Sequence, residues 1–212
     1  MGNGRGRNIE TSQKGEDAPG RQTASYLTIE ECMILLNACD SHHKTIVITA
    51  LNTGMRRGEI LSLKRKNLDL MHGFILLDKT KNGERREIPI NKTLGGVLQA
   101  LPKRLDSPFV IFHPKTGLPY GEIKHSFETA RKNANLAVFH FHDLRRTCES
   151  HLIMSGVDLA TVKELLGHKD IKMTLRYAHL APAHKAQAVD ILDKTFQKSS
   201  TSQKLHNLEV VG

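Results

Sequence analysis

Long apolar runs are missing from this 212-residue chain. No stretch approaches the ~20 apolar residues a bilayer-crossing helix needs, which excludes such a helical span. Cysteine is scarce: Cys32, Cys39 and Cys148 are an odd set with no CxxC pair. That argues against a disulfide framework and for a reducing cytosol. The start, Met1 to Arg7, is rich in Gly and Arg but has no apolar core, so it does not read as a secretory signal. Internal repeats are absent. Familiar metal-ligand spacing is absent too: among 12 histidines the nearest thing to a pair is His140-x-His142, with no acidic or Cys partner in register. No metal or cofactor is therefore expected.

Acidic side chains are also in deficit. The chain has 31 Lys and Arg against 22 Asp and Glu, a formal net charge of +9. Such an excess favours polyanionic partners, nucleic acid above all, although a merely basic soluble surface is the plainer reading of the charge alone. Hydrophobic content of 39% and charged content of 25% fit a globular domain.

Residues 1–25 carry almost no large apolar side chain and read as a flexible linker or tail, as do residues 199–212. Thr28-Ile29-Glu30-Glu31 is a capping box, followed by an apolar stripe at Cys32, Leu35, Leu36 and Cys39 that predicts an amphipathic helix. A second helix is expected through Ile46, Val47, Ala50 and Leu51 to Gly54, and a third through Ile60, Leu61 and Leu63. Phe74 to Leu77 and Arg86 to Ile90 flank Asn82-Gly83, a hairpin signal, with Pro89 pointing to an edge strand or a bulge. A helix around Leu94 to Leu101 and a short strand at Phe109 to Phe112 follow. Further helices are expected through Phe127 and Ala130, through Leu144, Cys148 and Leu152, from an Asp158 cap to Gly167, and through Val189, Leu192 and Phe196. The fold class is mainly α with a small antiparallel β-sheet.

Five segments occur in a suggestive order. They are Thr53-Gly54-Met55-Arg56-Arg57-Gly58-Glu59-Ile60, Thr80-Lys81-Asn82-Gly83, His142-Asp143-Leu144-Arg145-Arg146-Thr147, Leu165-Leu166-Gly167-His168 and Thr174-Leu175-Arg176-Tyr177-Ala178-His179. Together they resemble the boxes of tyrosine recombinases, the phage-integrase family, over residues 26 to about 195. The resemblance implies a DNA breaking and rejoining fold with Arg56, Lys81, His142, Arg145, His168 and Tyr177 as its site. It implies Tyr177 as the nucleophile that forms a 3′-phosphotyrosyl link, and Lys81 as the general acid. It further implies double-stranded DNA as substrate, a tetramer on DNA from protomers that are monomeric when free, and a cytoplasmic, nucleoid-associated setting in bacteria.

The residue types suit that chemistry. Cleaving a phosphodiester calls for fixed cationic donors around the non-bridging oxygens, and arginine binds phosphate bidentately while staying charged. A histidine titrating near neutrality can take the tyrosine's proton. A covalent intermediate conserves bond energy, so religation needs neither ATP nor metal. Singly, each residue has a plainer reading. Tyr177 could be a half-buried aromatic, Lys81 one of a solvated charge run, His151 a satisfied core histidine and Glu59 the structural partner of an arginine. Arg56 and Arg57 compete for one role, since on a helix they would point about 100° apart.

Two departures from the family stand out. Cys148 and Glu149 follow Arg145-Arg146-Thr147 where a large apolar and a small residue are usual, so packing behind Arg145 is expected to loosen. If Glu149 faces inward, it is expected to pair with an arginine and weaken the site. The N-terminal core-binding domain that site-specific members carry has no counterpart in the 25 polar residues, leaving 26–198 as a catalytic domain. The alternatives are a type IB topoisomerase-like enzyme and a non-catalytic DNA-binding relative. The helix through Val189 to Phe196 is a candidate to dock on a neighbouring protomer.

Overall fold

A computed structural model describes residues 26–77, 85–181, 189–192 and 194–196. The chain is mainly helical, with one three-stranded antiparallel sheet. Helix α1 (Ile29–Ala38) starts at the expected capping box: Thr28 Oγ1 accepts from Glu31 N at 3.2 Å, and Thr28 N donates to Glu31 Oε2 at 2.9 Å. Of its stripe Leu35 is fully buried, while Cys32, Leu36 and Cys39 pack half-buried at the margin of the core. Helix α2 (Ser41–Thr53) begins at the Asp40 cap and ends at Gly54, whose φ of +60° is the left-handed conformation that a Cβ disfavours. Helix α3 (Arg57–Leu61) is shorter than expected, and Leu63 lies beyond it in the segment leading to a 3-10 turn at Arg65–Asn67.

The sheet runs β1 (Leu68–Asp69), β2 (Phe74–Leu77) and β3 (Arg86–Pro89) in that order. Leu68 pairs with Ile75, and Leu77 with Arg86. The hairpin is as expected and Pro89 stands on an edge strand, where its missing N–H costs no ladder bond. Strand β1 went unforeseen, being only two residues long. The Asn82-Gly83 turn lies outside the described residues. Phe109 to Phe112 is not a strand. Phe109 forms a single bridge to Lys64, Val110 N donates to Leu63 O, and the segment buries its apolar side chains as a loop.

Helices α4 (Lys92–Gln99) and α5 (Lys124–Asn133) close the main core with Leu94, Leu98, Phe127 and Ala130. Helix α6 (Asp143–Met154) packs against α2 and α7 (Leu159–Leu166). It joins two apolar clusters: Leu144 belongs to the main core, Ile153 to a smaller one with Val162 and Leu166. Polar residues on α6 are buried as well, and Thr147 Oγ1 and His151 Nε2 bond the main chain of Leu27 at 3.1 and 2.9 Å. His151 is thus satisfied, as its plainer reading held. The short α8 (Lys172–Leu175) and a 3-10 turn at Ala178–Leu180 follow. Residues 189–192 and 194–196 are helical and exposed.

Candidate active site

The functional candidates meet where α6 passes from the main core to the smaller cluster. Arg56, His142, Arg145, His168 and Tyr177 line one cavity of about 130 Å³, completed by Arg146, Glu149, Met173 and Arg176. Lys81 lies outside the described residues.

Arg56 is the residue before α3, in extended conformation, and its Nη1 donates to Glu59 Oε1 at 2.9 Å. Arg57, the rival candidate, instead extends to Glu122 at 3.1 Å on the exposed surface. Of the two, Arg56 is the one that lines this cavity. Glu59 is the structural partner it was read to be. Burial alone would raise its carboxyl, yet the Arg56 N–H and the Arg86 and Arg56 charges together hold it below the usual carboxylate range.

Arg145 is buried on the first turn of α6. Its Nη1 donates to Gly54 O at 2.5 Å and its Nη2 to Leu166 O at 2.6 Å. These two main-chain oxygens lie at the ends of α2 and α7, each just before or at a left-handed glycine, and they fix the plane of the guanidinium. Burial, with the nearby charges of Arg56 and Arg86, lowers its pKa to about 10, leaving it fully cationic at neutral pH.

His142 stands at the N-terminus of α6, exposed at its edge, its pKa lowered by partial desolvation of the ring and by Arg146 and Arg145. His168 follows Gly167, which stops α7 at φ +64°. Its Nδ1 is 2.9 Å from Thr174 Oγ1 and 3.7 Å from Glu149 Oε1. Burial and the arginine charges push it down to about 4, so the ring is neutral at physiological pH. Tyr177 lies after α8, half-buried against the smaller cluster. Its phenol is raised by burial and then by Glu149.

Two participants escaped the sequence reading. Arg86 opens the second hairpin strand beside the charge run around Lys81 and reads as solvated, but β3 alternates buried and exposed positions and turns Arg86 inward beside Ile88. It donates to Leu166 O and, at 3.1 Å, to Glu59 Oε2. The alternation Arg86, Ile88, Ile90 was the available signal. Thr174, fully buried, sat in the last box without a role and proves to be the hydrogen-bond partner of His168.

The departures also resolve. Cys148 is buried with its thiol pushed up to about 12, and a Cβ on Gly54 would stand 3.5 Å from its sulfur, so the smaller side chain packs against the glycine that ends α2. Glu149 does face inward, at 3% exposure, where its Oε1 stands 3.7 Å from Nδ1 of the neutral His168 ring.

The family model of the phage integrases matches residues 25–184, three quarters of the chain. The chain belongs to the phage integrase family. The integrase of Haemophilus phage HP1 is 35% identical over 172 residues, 78% of this chain and 46% of that protein. The integrase of Salmonella phage P22 is 27% identical over 194 residues, 85% of this chain and 50% of its own length. Among solved structures, the catalytic domain of bacteriophage HP1 integrase is similar at TM-score 0.63 and 32% identity, over 78% of this chain and 93% of that one. XerA recombinase shares the fold at TM-score 0.67 and 19% identity, over 89% and 69%. This member of the phage integrase family spans about half the length of the curated relatives it matches.

Proposed function

We propose that residues 26–198 form the strand-cleaving and rejoining unit of a site-specific DNA recombinase, with Tyr177 as nucleophile. The observation that carries this reading is the convergence of Arg56, Arg145, His142, His168 and Tyr177 on one cavity, from four separate segments of the chain. Arg56 and Arg145 hold the non-bridging oxygens of the scissile phosphate and stabilise the charge that builds up in the transition state. Arg145 reaches that role pre-oriented by Gly54 O and Leu166 O, so little ordering remains when phosphate arrives.

In the forward step the Tyr177 oxygen loses its proton and bonds to phosphorus. The bond from phosphorus to the 5′-oxygen breaks, and that oxygen takes up a proton from Lys81. Neutral His168, its ring held by Thr174, takes up the phenolic proton as the phosphate's negative charge offsets the arginine charges that hold its pKa low. Reversal of the same steps by a 5′-hydroxyl rejoins the strand, and no oxidant or ATP enters the balance. Duplex DNA is the substrate, several protomers assemble on it, and the phosphate contacts make binding salt-sensitive.

A suicide substrate tests this: nicked duplexes drawn from a randomised library, incubated with the protein and resolved on a denaturing gel. A covalent protein–DNA adduct that vanishes in Tyr177→Phe supports the reading. No adduct, or one that survives Tyr177→Phe, sinks it. Recombination between two captured sites, as against relaxation of supercoils, then separates a recombinase from a topoisomerase-like enzyme.

A further inference from the structure

Glu149 is a carboxylic acid in the wall of a cavity otherwise built to receive an anion. Its side chain is 4% exposed. Its Oε1 is buried and takes no hydrogen bond among the described residues. The groups facing it come from every side. Arg145 and Arg146 stand on its own helix, Arg176 and Tyr177 follow α8, His168 follows α7, and Arg56 precedes α3. The buried residues of α2 and α7, both packed against α6, are uncharged; the 3-10 turn Ala178–Leu180, also packed against α6, brings His179, which is exposed.

A buried carboxylate in that position competes with a phosphodiester for the same guanidinium charges. Ionised, Glu149 already draws on Arg145, Arg146 and Arg176, and a second anion in so small a space would be repelled across a low-dielectric cavity. Protonated, it leaves those arginines to the phosphate and turns from an acceptor into an O–H donor. Resting on the assignment of this cavity to a scissile phosphodiester, we propose that Glu149 is a proton-linked gate: phosphate docks with the carboxyl protonated and is opposed by the carboxylate. Two further observations agree with it. Burial, outweighing the three arginines, pushes the Glu149 carboxyl up to about 7, so the switch falls in the working range. Among the described residues Oε1 takes no hydrogen bond, so no donor at that oxygen holds the ionised form in place.

The test is the rate of covalent adduct formation on a nicked duplex between pH 5.5 and 9, for the wild type, Glu149→Gln and Glu149→Ala. Groups remote from Glu149 shape all three profiles alike, so the informative quantity is the ratio of variant to wild-type rate; the Tyr177 phenol, which Glu149 itself raises, is absent from the calorimetric arm below. A gate makes that ratio flat below pH 7 and rising by about tenfold per pH unit above it, the slope of one linked proton. A ratio independent of pH overturns the gate, even if both variants are uniformly slow. Calorimetry on wild type and Glu149→Gln, each also carrying Tyr177→Phe, gives a second readout. Binding of the same duplex at pH 8, in buffers of different ionisation enthalpy, must take up more protons with Glu149 than with Gln; equal uptake overturns the proposal. No Tyr177-dependent adduct in the wild type at any pH overturns the functional reading itself, and the gate with it.

Discussion

Arg86 and Arg145 donate to the same oxygen, the main-chain carbonyl of Leu166 at the end of α7. Two guanidinium groups on one acceptor repel each other, and each lies within range of Arg56 as well. Glu59 offsets this cluster by bonding Arg86 at 3.1 Å and Arg56 at 2.9 Å. The carbonyl fixes where Arg145 points, and Arg86 with Glu59 fixes where the carbonyl lies. Arg86→Ala should therefore cost stability, about 3 kcal/mol by the usual loss on breaking a buried pair, because Glu59 is left with half its compensation. Denaturant titration measures that. Cleavage should also fall, and Arg86→Lys should recover stability better than rate, since a lysine cannot span both partners at once.

Arg56 and Arg57 are adjacent yet should behave very differently. Arg56→Ala removes a cationic donor from the cavity, an effect on the order of 100- to 1000-fold on the cleavage step for a preorganised site. Arg57→Ala breaks only an exposed, solvent-screened pair with Glu122 and should leave cleavage within a few-fold of wild type. Single-turnover rates on one nicked duplex decide it. Equal losses from the two would mean that the surface arginine also holds the reacting phosphate.

What was legible in the sequence was mostly local. The Thr28–Glu31 box, the Asp158 cap and the left-handed glycines at 54 and 167 act within a turn of their own positions, so the boundaries they set were readable. The order of the five boxes pointed, without any geometry, to five residues that line one cavity: Arg56, His142, Arg145, His168 and Tyr177. Arg86 was missed because its partner Leu166 lies 80 residues away, and a charge amid Lys79 and Arg85 reads as solvated until the strand alternation is weighed. Phe109 to Phe112 failed for a different reason. An apolar run reports burial, and a loop that sinks Val110, Ile111 and Phe112 into the core shows the same pattern as a strand.

Gly167 bears on the placement of both His168 and Arg86. Its φ is +64°, and a Cβ there would come within 2.5 Å of Arg86 Nη1. Gly167→Ala combines backbone strain with a clash against a buried guanidinium that carries fixed partners, so relaxation is limited. We expect a loss of about 1–3 kcal/mol and a further drop in cleavage as His168 shifts. Thermal melting beside adduct yield separates the two effects. A variant that melts like the wild type would show that Arg86 can move aside.

The pair Glu149 and His168 should leave a signature in stability against pH. For Glu149 the folded pKa is raised, from 4.5 to about 7, so its stabilising contribution is complete below pH 4.5 and lost as pH climbs through 7. For His168 the folded pKa is depressed, from 6.5 to about 4, so its contribution is present above pH 6.5 and lost as pH drops through 4. Between 4.5 and 6.5 the two slopes oppose each other, and together they leave a plateau. Replacing one partner exposes the other. In Glu149→Gln stability should climb from pH 4 to 6.5, gaining on the wild type by about 1–3 kcal/mol above pH 7. In His168→Gln it should instead decline from pH 4.5 to 7. Urea titrations at half-unit pH intervals read both curves, and the wild type subtracts out every other titrating group. A Glu149→Gln advantage that stays constant with pH would mean the carboxyl is ionised throughout, and would remove the physical basis for opposed slopes.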